Sequence, residues 1–213
     1  MHFEKLGQLI TEAVSHEEES HLLARHLQKV TAGLHSTVMI SNKNNSTDAL
    51  IRFIIKYIEH APKFLSVMAK VSAEANMRGL TLPLIKVSEE FFLNPPEILG
   101  NEKNLERLME SSYLTHRMIE EVNDRFLASR GKVLIPVDMI TANLIIHNLI
   151  GEPFSNQLDA FCFELAKEIV PFPSTNTEPS SPTFITTEQQ ITWTKAWMHW
   201  SELLDESHVK LSI

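Results

Sequence analysis

The chain has 213 residues, of which 43% are hydrophobic, and its 19 lysines and arginines against 27 acids leave a formal charge of −8. That length and apolar content suffice for one sizeable core, while the acidic balance, with no two basic residues adjacent, excludes the electrostatic footprint of a nucleic-acid binder. Only six glycines, and no Asn-Gly or Asp-Gly turn between alternating strands, point away from β structure. The expected class is all-α, a single bundle of about seven or eight helices.

In chain order, Phe3, Leu6, Ile10 and Ala13 make a first apolar stripe, and Leu23, Leu27, Val30 and Leu34 continue it. Ser15 and Glu18 have the spacing of a capping box that would start a second helix, so one long helix and two shorter ones both fit. The acidic run 17–19 with His16 and His21 reads as a solvated face. A polar loop at 41–48 leads into ALIRFIIKYI, almost wholly apolar and expected at the centre. Pro62 fits the first turn of a further helix, Met77-Arg78-Gly79 its C-cap, and then comes a short helix over 84–92 until Asn94-Pro95-Pro96 stops it.

The segment 101–130 predicts about eight turns of amphipathic helix. Leu105, Leu108, Met109, Ile119, Val122, Phe126 and Leu127 share one side, with Arg107, Glu110, Arg117, Glu121 and Arg125 opposite. Ser112, His116 and Asn123 interrupt the apolar stripe, and Glu120 flanks it; buried polar groups must be bonded, ligated or used. Residues 137–150 are apolar nearly all round, the pattern of a helix enclosed by others. Gly151 caps it, and Pro153 opens a helix with the stripe Phe154, Leu158, Phe161, Leu165 and Ile169. Cys162, the single cysteine, reads as a small buried hydrophobe in a reducing compartment.

The texture changes at 171, which divides the chain into a bundle (1–170), an extended Pro/Ser/Thr connector (171–187), a terminal helix docking on the bundle (188–206) and a frayed tail (207–213). Trp193, Trp197 and Trp200 share a face of that last helix and must be covered. The connector is long enough to exchange the helix between two subunits. The most apolar stretch, 140–150, is too short for a bilayer and carries Asn143, His147 and Asn148. The N-terminal residues lack the basic start and unbroken apolar core of a signal peptide. No membrane insertion and a cytoplasmic location are expected.

Chemistry has one sharp hypothesis. Glu17 with His21, His116 with Glu120, and Asn143 with His147 are pairs four residues apart, each able to aim two ligand atoms at a common centre. Di-metal bundles use an ExxH on each of two helices, whereas here Glu18 to His21 has no bundle-placed counterpart. Ten histidines and 27 acids yield such pairs by chance, so the apolar setting, not the spacing, singles out His116. The blander reading makes His116, Asn143 and His147 a polar network that fixes helix register. Nucleotide loops, GxSxG elbows and HExxH are missing, and the sequence designates neither a catalytic residue nor a cofactor. The expectation is therefore a non-catalytic binding or protein-interaction module, acting through an apolar groove or as a homodimer, with Trp193, Trp197 and Trp200 as its partner face. The competing expectation is a metal-binding bundle or metal-dependent enzyme with His116, Glu120, His147, His21 and Glu17 as ligands. A third, an acid/base enzyme without cofactor, would use a pocket lined by His116 and His147.

Overall fold

The computed structural model describes residues 2–31, 38–40, 46–74, 76–131, 133–135, 138–170, 187, 191 and 209–211. Among them are seven α-helices: α1 (Phe3–Ser20), α2 (Leu22–Thr31), α3 (Ser46–Glu74), α4 (Arg78–Leu93), α5 (Leu105–Arg130), α6 (Ile140–Ile150) and α7 (Phe154–Ile169). The all-α class holds. A short antiparallel pair, β1 (Val38–Ile40) with β2 (Val209–Leu211), joins Val38 to Leu211, a pairing that the sequence pattern does not announce. Apart from Thr187 and Ile191, the connector and the tryptophan helix lie outside the described residues. No helix among the described residues is long and apolar enough to cross a membrane.

α1 and α2 are separate, and the joint is not the Ser15–Glu18 capping box. His21 takes the left-handed conformation (φ 51°) and ends α1, while the Glu17 carboxylate accepts from the Leu23 and Ala24 amides, both at 2.9 Å. An acid in the last turn of one helix thus satisfies the orphan donors that open the next. Further on, Pro62 does not start a helix but sits inside α3, which runs unbroken through it. Likewise, Arg78 begins α4 instead of capping α3, because the chain turns at Asn76 (φ 54°).

α5 is the hub, packed against α1, α3, α4, α6 and α7. Asn104 caps its start by accepting from the Arg107 amide, and Gly131, left-handed at φ 68°, closes its end on the Leu127 carbonyl. The expected polar face of α5 is not a solvent face: Arg107 and Arg125 are both buried. The Arg107 guanidinium reaches the Phe91 and Phe92 carbonyls at 3.3 Å and the Glu102 carbonyl at 2.9 Å. It thereby satisfies acceptors that the end of α4 leaves open. Asn123, also in the interior, binds both backbone groups of Ile135, donating to its carbonyl at 2.7 Å and accepting from its amide at 2.8 Å. α6 departs from expectation in the other direction. It packs on α5 and α7, but Ile140 is 60% and Leu144 48% exposed.

Candidate functional site

Two features of the described residues are candidates for a site: a polar network through the core and a groove on the surface. The network begins with His116, which is wholly enclosed, on α5. Its Nε2 lies 3.1 Å from Nδ1 of His60 on α3, and its ring meets the Tyr57 ring edge-on at 4.5 Å between centroids. The remaining nitrogen of His116, Nδ1, is buried without a hydrogen-bond partner. An unpartnered N–H costs more than an unpartnered lone pair. We therefore assign the proton to Nε2, which donates to His60 Nδ1. Burial keeps both rings neutral, holding His60 down at about 4 with help from nearby Lys63 and His116 well below its ordinary value.

From Tyr57 the network crosses to α6, where the hydroxyl donates to Asn143 Oδ1 at 2.5 Å. The Asn143 amide faces the Glu120 carboxyl and favours its charged form, though no hydrogen bond of ordinary geometry closes between Nδ2 and Oε1. Burial outweighs this, and outweighs the Arg117 ion pair, so the Glu120 pKa is raised. Arg117 continues to Asp159 of α7 at 2.9 Å. Burial opposes the charge of Arg117, but Glu120 and Asp159 together raise its pKa. Tyr113 donates to Asp159 Oδ1 at 2.8 Å and lies 2.8 Å from His147 Nδ1, while Ser155 Oγ lies 3.1 Å from His147 Nε2. Because Tyr113 has one proton and spends it on Asp159, His147 carries its hydrogen on Nδ1 and accepts from Ser155 at Nε2.

His147 Nδ1 is also 3.4 Å from Asp159 Oδ2, so Ser155, His147 and Asp159 stand in the partner order of a hydrolytic triad. Ser155, however, is wholly buried in the first turn of α7, so its hydroxyl is presented to the helix interface and not to a substrate. The arrangement works as a strut that ties α7 to α5 and α6.

The five residues expected to converge on a metal are spread over this framework. Glu17 is consumed by the α1–α2 joint and His21 is exposed at its corner. His116 faces His60, Glu120 faces Arg117, and His147 belongs to the Tyr113–Ser155 strut. Among the described residues no group of three or more His, Cys, Asp or Glu side chains is arranged to hold a metal ion. Cys162 is buried, touches the Leu114 carbonyl at 3.5 Å, and has its thiol pKa pushed up by burial. Trp193, Trp197 and Trp200 fall outside the described residues. His60, Tyr57, Tyr113, Ser155 and Asp159 escape the sequence reading because each matters through a partner on another helix.

The groove lies between α1 and α3, with a volume of about 620 Å³ and open to solvent. Phe3, Gly7, Ile10 and Thr11 form its α1 wall, and Glu59, Pro62, Lys63, Ser66 and Val67 its α3 wall. Both sets recur at helical spacing, so each wall is one face of one helix. The space beyond Gly7 is open: a Cβ added there would meet nothing within 4 Å. Glu59 and Lys63 pair at 2.9 Å on its margin. Comparison with protein-family models, with characterised proteins and with solved structures finds no match to this chain.

Proposed function

We propose that the protein is a non-enzymatic interaction module that receives an amphipathic helix of a partner protein in the α1–α3 groove. The observation that supports this reading is the groove itself, where half-buried Phe3 and Val67 stand over buried Ile10 and Pro62 and the space beyond Gly7 is open. A helix-in-groove contact needs such a trough, into which a partner sets apolar anchors at i, i+3 or i+4, and i+7. The formal charge of −8 favours a partner with basic residues flanking those anchors.

Gly7→Leu separates this role from the fold. The position is helical with open space beyond it, so leucine fills the groove and stabilises α1 by about 0.8 kcal/mol through helix propensity. A display library of helical 16-residue peptides selected on the wild-type chain at pH 7.5 should yield basic-flanked amphipathic binders. Their affinity should fall at least tenfold on Gly7→Leu while thermal stability is kept or raised. Binders indifferent to Gly7→Leu, or a selection that enriches none, would overturn the proposal.

A further inference from the structure

α1 packs against both α4 and α5, and a small pocket of about 250 Å³ lies where it passes the turn between them. Lys5, Gln8, Leu9 and Glu12 of α1 form one wall, at the i, i+3, i+4 and i+7 positions of a single helix face. Positions on a helix advance by about 100° per residue, which puts this face opposite the one that lines the groove. Leu93 and Pro95 close the pocket at the end of α4, where Asn94-Pro95-Pro96 stops the helix. Asn101, Lys103 and Arg107, from the segment that opens α5, complete it.

The donors around this pocket are unspent. Arg107 is only 4% exposed, and its Nε and Nη1 are used on the Glu102, Phe91 and Phe92 carbonyls and on Ser111 Oγ, which fixes the plane of the guanidinium. Nη2 makes no hydrogen bond among the described residues and is not sealed in the interior. Two N–H groups of a rigidly held cation are thus left for the pocket that Arg107 borders. Lys5, Gln8, Asn101 and Lys103 likewise make no side-chain hydrogen bond or ion pair among the described residues. Glu102 and Glu110 favour the charge of Arg107 from outside the lining, and among the described residues neither carboxylate pairs with it. In a chain of formal charge −8, a lining that sets Lys5, Lys103 and Arg107 against Glu12 alone reverses the local sign. A carboxylate ligand would bring one charge and two acceptor oxygens, whereas a phosphate monoester brings about −1.5 to −2 and three. We propose that the pocket binds a small organic phosphate monoester, with Arg107 Nη2 on the phosphate from the buried side and Lys5 and Lys103 closing on it from the exposed rim. Leu9, Leu93 and Pro95, all half-buried, take the organic part. That part is small, because the volume falls below the range of about 300–1,000 Å³ that holds drug-sized ligands. The site is independent of the groove and of the partner assigned to it.

Titration of the full, isotope-labelled chain with phenyl phosphate at pH 7.5 and low salt, followed by NMR, tests this. Saturable shifts with a Kd of about 1 mM or below are expected at the amides of 5–12 and 101–107 and at the Arg107 Nε–H. Benzoate, with the same ring and a carboxylate head, should bind about tenfold more weakly or worse. Inorganic phosphate should also be weaker by about tenfold, since it leaves the apolar wall unfilled. Lys5→Gln/Lys103→Gln removes two exposed cations that carry no structural bond, so the fold should be kept while phenyl phosphate weakens by about tenfold or more. Lys70→Gln/Lys86→Gln makes the same change in net charge at exposed positions that do not border the pocket, and should alter the affinity by less than about threefold. No saturable binding, benzoate or inorganic phosphate binding as tightly as phenyl phosphate, or equal losses in the two lysine variants would each overturn the proposal.

Discussion

α5 and α6 lie side by side and settle their burial by opposite means. α5 encloses Arg107, Ser111, Ser112, Thr115, His116, Asn123 and Arg125, and most find partners on neighbouring helices, on the α5 backbone or on the α5–α6 connection: Arg107 on the end of α4, Ser112 on Leu108, His116 on His60, Asn123 on Ile135. α6 is nearly free of such groups, yet it leaves Ile140 and Leu144 facing outward. Position in a bundle depends on how many neighbours a helix can satisfy. A 26-residue helix with polar groups of several reaches can be surrounded, whereas one of 11 residues, apolar over most of its surface, packs mainly on α5 and α7 among the described residues, touches α3 through Tyr57, and leaves a face over. Partial exposure of apolar side chains is ordinary in folded proteins; a buried polar group without a partner is not.

The contrast can be broken most directly at Asn123. Asn123→Ala strips both backbone groups of Ile135 of their partners, and a loss of about 3 kcal/mol is expected in urea unfolding. A loss under about 1 kcal/mol would mean that the α5–α6 connection finds other bonds and that α5 does not depend on its polar contacts for its central place. Acid supplies a test of similar size. His60, held to about 4 in the fold, has an ordinary value near 6.5 when unfolded. Its contribution is complete above pH 6.5 and is lost as pH falls from 6.5 to 4, by about 3 kcal/mol for a depression of this size. His116 acts in the same sense. Equilibrium unfolding followed from pH 8 to 4 should show the decline, and His60→Asn should flatten it.

A test of opposite sign lies on the other flank of α5. Glu110 is raised to about 8, first by burial and then by Glu106, so its neutral form is favoured in the fold. The associated stability is complete below pH 4.5 and is lost as pH rises from 4.5 to 8, and Glu110→Gln should remove that slope. On α6 the expected effect is near zero: Ile140→Thr and Leu144→Gln should each change stability by less than about 0.5 kcal/mol. A larger loss, read from the same unfolding curves, would show that this face is covered in solution and that α6 is enclosed after all.

Much of the frame is legible in the sequence because local rules govern it. Asn94-Pro95-Pro96 ends α4, Asn104 and Gly131 bracket α5, and Gly151 closes α6. The reading fails at Pro62, where packing on both sides of α3 overrides the local cost of proline, and at α6, where composition cannot count neighbours. For the site, the apolar setting of His116 rightly marks a buried polar group. Its partner, His60, is 56 residues away, and no period within one helix points across to another. The groove is hidden for the same reason, since Gly7 looks like a mere weakness in α1 until α3 stands opposite.

The joint between α1 and α2 leaves almost no slack. One residue, His21, separates Ser20 from Leu22, and the corner is fixed by a carboxylate four positions earlier. Each residue added to a helix turns the remainder of that helix by about 100°. A single residue inserted after Ser20 would therefore part Glu17 from the amides that it caps or swing α2 about its own axis, carrying Leu23 and Leu27 out of the core and His26 toward it. Loops in a bundle normally absorb insertions and deletions; here the connection is a fixed gear tooth, and the chain's spacing at this point is as constrained as the packing beneath it.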